Sequence, residues 1–91
     1  ALLLNVGWAH YGLDDKQKAL DYFNQALTTA AGDNRAEAIA SDSVGSIQLL
    51  LGDSERALGY FQKSLSLSRA AGDRSTEARS LYGMAQAERD Q

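Results

Sequence analysis

The chain has no cysteine and no proline, and it holds a single histidine, a single tryptophan and a single methionine in 91 residues. Without cysteine there is no disulfide, no thiolate metal site and no thiol nucleophile. Without proline no helix is forcibly broken from within. His10 stands alone, with neither a cysteine nor a second histidine to build a catalytic triad or a metal site. It reads as a structural side chain. Long apolar runs are absent too. The longest is the four residues Ala1–Leu4, far short of a membrane span. No basic leader or initiator Met marks a signal peptide, and the opening "ALLL" suggests a piece of a longer chain. Nor is there a basic cluster. The nine Lys and Arg residues are scattered singly against twelve Asp and Glu, for a formal net charge of −3. That balance argues against nucleic acid and an anionic membrane as partners. A cytoplasmic protein with no cofactor and no metal is the resulting expectation.

What is present repeats. "ALDYFNQAL" from Ala19 returns as "ALGYFQKSL" from Ala57, thirty-eight residues on, while "AAGD" at Ala30 returns at Ala70, forty residues on. Apolar and small residues recur at three and four: Ala19, Phe23, Ala26, Leu27 and Ala30, then Ala57, Phe61, Ser64, Leu65 and Ser68. Both stripes belong to amphipathic helices. Upstream of each lies another helical pattern, with Leu3, Val6, Gly7 and His10 in the first, and Ser41, Val44, Gly45 and Gln48 in the second.

Break signals separate these segments. Gly32, Gly52 and Gly72 suit left-handed helix ends. Asp15, Asp53, Asp73 and either Asp33 or Asn34 suit N-caps, and Asn34 with Glu37 has capping-box spacing. The pattern predicts an all-α chain of five helices, about 1–13, 15–31, 34–51, 54–71 and 74–90. They pair as 1–31 and 34–71, with 74–90 opening a third pair as a half-repeat or cap. From each "GD" glycine to the next small residue of the following stripe is thirteen residues, Gly32 to Gly45 and Gly72 to Ala85. The two residues by which the rulers differ are therefore placed in the second helix after Leu27, which should end half a turn early. "SLSLS" at 64–68 alternates like a strand, but no turn signal bounds it and the surrounding helical pattern prevails.

The series Gly7, Ala19, Phe23, Ala26 and its echo Gly45, Ala57, Phe61, Ser64 resembles the tetratricopeptide repeat, in its forty-residue variety. The resemblance implies antiparallel hairpins stacked as a short right-handed α-solenoid of about two and a half units. Small residues (Ala85 in the third unit) let paired helices approach, and Phe23 and Phe61 fill the seams between pairs. Ser41, Gln48 and Glu88 stand where the family carries larger residues, so the second pair's core should be thinner. The ending "ARSLYGMAQAERDQ" is similar to repeat arrays that precede a caspase-like CHAT domain in bacterial proteins. That would make the segment the regulatory arm of a protease whose catalytic residues lie outside it.

The same resemblance implies function through surface. It implies a non-enzymatic interaction module whose partner, a protein or peptide, lies along the first helices of successive pairs. Helical spacing selects Leu4, Trp8 and Tyr11, then Asp42, Ser46 and Leu49, then Arg79, Tyr82, Gln86 and Arg89. Trp8 and Tyr11 alternatively pack on a preceding repeat, and Asp42, Arg79 and Arg89 alternatively form a solvated face. A chaperone-type C-terminal carboxylate is disfavoured, because Leu4, Trp8, Asp42 and Ser46 offer no basic clamp. The competing expectation is a structural spacer or a self-associating segment, with Leu2, Leu3 and Leu4 driving a homodimer through open repeat ends.

Overall fold

In a computed structural model the described residues, 16–90, form four α-helices: α1 (Lys16–Thr29), α2 (Asn34–Leu50), α3 (Ser54–Ala71) and α4 (Arg74–Asp90). The helix expected over 1–13 lies outside the described residues, and with it His10, Asp15 and the groove candidates Leu4, Trp8 and Tyr11. "SLSLS" is helical, inside α3.

The turns follow from their residues. Gly52 and Gly72 take φ of 86° and 69°, a conformation glycine enters without a Cβ penalty. Each is followed by a backbone N–H that reaches back five residues, Asp53 to Gln48 O at 2.9 Å and Asp73 to Ser68 O at 2.9 Å. These are Schellman closures. The next helix is then started by the same aspartates. Asp33, Asp53 and Asp73 accept from the backbone N–H of Ala36, Arg56 and Thr76 at 3.2, 3.1 and 3.2 Å. Asp33, not Asn34, is the cap of α2, and the expected Asn34–Glu37 capping box does not form. The Glu37 carboxylate pairs instead with Lys63 on α3, at 3.2 Å.

Counted from the alanine that opens each "ALxYF", the first helix does end early: Thr29 is ten residues past Ala19, whereas α3 runs fourteen past Ala57 to Ala71. The difference is twice the expected two residues, and the helix stops at Thr29 and not at residue 31. Ala30–Gly32 leave it for a turn, in which the Ala31 N–H bonds Thr28 O and the Asp33 N–H bonds Ala30 O.

The helices are held by two linked apolar clusters. Ala19, Leu20 and Phe23 of α1 meet Val44 and Ile47 of α2. Ala57 and Phe61 of α3 meet Ala87 of α4, with Leu49 and Met84 against them. Val44 and Ile47 thus stand to Phe23 as Met84 and Ala87 stand to Phe61, forty residues on. Ala19, Phe23, Ala26, Gly45, Ala57, Phe61 and Ser64 are all buried, as expected of them.

Ala85 holds on α4 the register that Gly45 holds on α2, and it is exposed because no described helix packs over that face of α4. The residue of α4 that meets Phe61 is Gly83. A Cβ built there would lie 2.6 Å from the ring's Cε1, and one built on Gly45 would lie 2.9 Å from the same atom. The ring is therefore clamped between two glycines on two helices. Two residues along a helix is about 200° of rotation, so Ala85 faces away from the helix that Gly83 touches.

The core of the second hairpin is thin in the manner foreseen, and it is filled with serine. Ser41, Ser43, Ser64, Ser68 and Ser80 are buried. Ser64 donates to the Ala38 carbonyl at 2.7 Å across the α2–α3 seam and accepts from Ser80 of α4 at 2.8 Å. A small side chain at position 64 thus keeps the close approach while linking three helices, which a plain alanine could not do.

Candidate binding groove

α2 and α4 run side by side across α3, and a cleft of about 490 Å³ lies between them. Asp42, Ser46, Leu49 and Leu50 form its α2 wall. Ala78, Arg79, Tyr82, Gly83 and Gln86 form its α4 wall, and the edge of Phe61 lies at its floor. Six of the expected groove residues thus share one cavity. Arg89 lies on the same side of α4, three residues past Gln86 and largely exposed, but does not line it.

Leu50 was missed from sequence because the i, i+4, i+7 spacing ended on Leu49. Leu49 is half-buried against the Phe61 cluster, whereas Leu50 is 49% exposed. Three consecutive leucines at 49–51 were the available signal. Tyr82, 67% exposed, is the most open large apolar side chain among the described residues.

Asp42 is neither a solvated charge nor an open groove contact, for it is only 4% exposed. Its Oδ2 forms an ion pair with Arg79 Nη2 at 3.2 Å, and its Oδ1 stands 3.4 Å from Ser80 Oγ. Ser80 has one proton, and its shorter bond goes to Ser64, so Asp42 receives little from it. Arg79 is the principal compensation for a carboxylate taken out of water. Arg79 itself stays 58% exposed along its side chain. Burial pushes the Asp42 carboxyl above its ordinary range, against the opposing pull of Arg79 and Ser80.

Asp73, at the α3–α4 turn, is held below the ordinary range, mainly by hydrogen bonds from the Thr76 hydroxyl and backbone. The two aspartates give pH dependences of opposite sign. A raised folded-state carboxyl binds protons more tightly folded than unfolded. The Asp42 site therefore loses stability as pH rises through the window between the unfolded value near 3.8 and the raised folded value. Asp73 contributes stability above the unfolded value that is lost as pH falls below it. Asp42→Asn is expected to remove the first dependence. In urea titrations from pH 3 to pH 7, the stability of the variant relative to the parent should rise with pH. A difference that stays flat would show that Asp42 does not carry a burial cost.

The remaining polar groups of the cleft are oriented. Ser46 Oγ donates to the Asp42 carbonyl at 3.0 Å, leaving its lone pairs toward the cleft. Gln86 Nε2 donates to Tyr82 Oη at 3.1 Å, leaving the phenolic proton free to donate. Among the described residues no group of three His, Cys, Asp or Glu could hold a metal ion, and no helix is long and apolar enough to cross a membrane.

Models of the tetratricopeptide repeat match the chain twice, over residues 1–33 and over residues 40–75. No curated protein matches it.

Proposed function

The chain belongs to the tetratricopeptide repeat family, whose repeats generally mediate protein–protein interaction, and from that premise we propose that it binds a peptide or partner domain in the α2–α4 cleft. In this reading the helices are a segment of a right-handed solenoid of about two and a half hairpins, 1–31, 34–71 and 74–90. The cleft is part of its concave face, continued by Leu4, Trp8 and Tyr11. Stacked repeats present such extended concave surfaces. The observation that carries the reading is the coincidence of an apolar floor with exposed Tyr82 and Leu50 at the lip, since aromatic anchors beside apolar pockets dominate binding energy. The role is recruitment rather than catalysis, in a cytoplasmic protein.

The test is capture by the full-length parent. Tyr82→Ala combined with Leu50→Ala should reduce partner recovery at least tenfold with unchanged helicity by circular dichroism. Trp8→Ala with Tyr11→Ala should act in the same direction. Gln62→Ala, on an exposed position of α3 away from the cleft, should have no effect. Recovery unchanged by both double variants would remove the cleft from the account.

A second reading, a spacer or self-associating segment, is favoured by one feature. α4 leaves Ala78, Leu81 and Ala85 exposed, at the register where Ala38, Ser41 and Gly45 of α2 are buried. A homodimer closing over that stripe would show a concentration-dependent mass in light scattering, and a monomer at every dilution would dismiss it.

A further inference from the structure

The walls of the α2–α4 cleft narrow the chemistry of its occupant, on the reading that this cleft is the docking site. The α2 wall carries no accessible charge: Asp42 is buried behind Arg79, and Leu49, Leu50 and Ser46 complete it. On the α4 wall Arg79 and Tyr82 offer donors, and Gln86 adds one amide oxygen as an acceptor. Arg79 uses one guanidinium nitrogen on Asp42 and has further N–H groups in its planar fork. Tyr82 accepts from Gln86 and so turns its own proton outward. Arg89, further along the same face, is 74% exposed and meets Asp90 only at 3.9 Å.

Asp42 also pins Arg79. A guanidinium already held in one geometry loses less side-chain freedom when a ligand arrives, and a fork of this kind matches a carboxylate bidentately. The chain's negative net charge opposes an acidic ligand only weakly. Charges beyond about 10 Å are largely screened at 0.1 M salt, so the local groups decide: Asp42, 4% exposed, offsets part of the Arg79 charge from behind, Asp90 stands 3.9 Å from Arg89, and the two guanidinium groups are the charges turned to solvent.

Shape points to an extended segment. A helix is about 10–12 Å across, and only about one turn of it would fill the 490 Å³ cleft. A strand-like backbone could lie along the cleft with its N–H groups toward Ser46 and its carbonyls toward Tyr82. Arg79 and Arg89 are ten residues apart on α4, about 15 Å along the axis. Four or five residues of extended chain cover that distance at about 3.3 Å each.

We propose that the cleft takes an extended acidic–apolar segment of a partner protein: one carboxylate on Arg79, a second toward Arg89 four or five residues away, and apolar side chains between them on Leu49, Leu50 and the edge of Phe61.

The experiment uses the full 91-residue chain, isotopically labelled, titrated with three blocked synthetic peptides of leucine flanked by two glutamates, two glutamines or two lysines at that spacing. Amide shifts of Leu49, Leu50 and Tyr82 report occupancy of the cleft. The glutamate peptide should bind at least tenfold more tightly than the lysine peptide, and the preference should shrink as salt is raised. In the double variant Asp42→Asn, Arg79→Gln, which removes both charges together and leaves no buried ion unpaired, the preference should fall to within about threefold. Arg89→Gln should halve it or more. Equal binding of all three peptides to the cleft would overturn the acidic preference and leave the docking site standing. Tighter binding of the lysine peptide, or a preference that survives the double variant, would overturn it likewise. If none of the peptides shifts the cleft amides, both the preference and the docking site are lost.

Discussion

Phe61→Ala is expected to lower the unfolding free energy by about 3–5 kcal/mol, the range for truncating a fully buried aromatic ring. The ring is 2% exposed and touches three helices: Ala57 of its own, Ala87 and Gly83 of α4, and Gly45 of α2. Both glycines lack the side chains that could collapse into the space, so the cavity would persist, and residual cavity volume is what raises the cost. Small domains have about 5–15 kcal/mol in total. The variant should therefore melt tens of degrees lower, at about 4–8 °C per kcal/mol for a domain of this size, or be partly unfolded at 25 °C. Thermal and urea denaturation followed by circular dichroism check this. A loss under 1 kcal/mol would mean that the hairpins are held together by something other than this ring. Leu65→Ala, half-buried on the same helix, is the comparison, and it should cost far less.

Gly83→Ala is expected to destabilise by on the order of 1 kcal/mol net, although alanine is the better helix former. Two effects compete. Replacing glycine inside a helix gains about 1 kcal/mol of propensity. The new Cβ, however, would lie 2.6 Å from both Cε1 and Cζ of Phe61, well inside van der Waals contact. The ring has little room to retreat, because Gly45 of α2 also packs on it, with only 2.9 Å between a Cβ position and Cε1. α4 must then move off α3, which opens the Ser80–Ser64 and Asp42–Arg79 links as well. Overpacking of this kind costs about 1–3 kcal/mol and should outweigh the propensity gain. A double-mutant cycle isolates the cause. With Phe61→Leu in the background, Gly83→Ala should lose most of its penalty, giving a coupling of about 1 kcal/mol or more. Additive effects would place the penalty elsewhere. The same displacement would widen the cleft, because Gly83 lies in its wall.

Both expectations turn on Gly83, which helical spacing alone does not single out. Linear spacing identifies which residues of one helix share a face. It does not say which face a neighbour two helices away will touch. The count from Gly72 led to Ala85, which does hold the place of Gly45 in the repeat. Phe61, however, is closed from the far side by a different face of the next helix. A glycine in the middle of a strongly helical stretch, at position 83, was the available sign that something approaches closely there.

Asp42 shows the same division. Its position on the α2 face, beside Ser46 and Leu49, was legible from helical spacing, but its burial was not. Spacing places a residue on a side of the helix, and the accessibility of that side is set by the helix that packs over it. Here that helix brings Arg79 and Ser80, encoded almost forty residues downstream.

The chain alone determined the all-helical character, the hairpin repeat, the glycine ends, the aspartate starts and the buried small and aromatic signature. All of these are local or periodic properties, written in propensity, capping chemistry and a spacing of three and four. Tertiary structure decided what depends on two or more helices meeting: the clamp of Gly45 and Gly83 on one ring, the serine ladder across three helices, the withdrawal of Asp42 from water, and the outward turn of Tyr82 and Arg79. Those outcomes depend on distances between faces, and such distances exist only once the helices have docked.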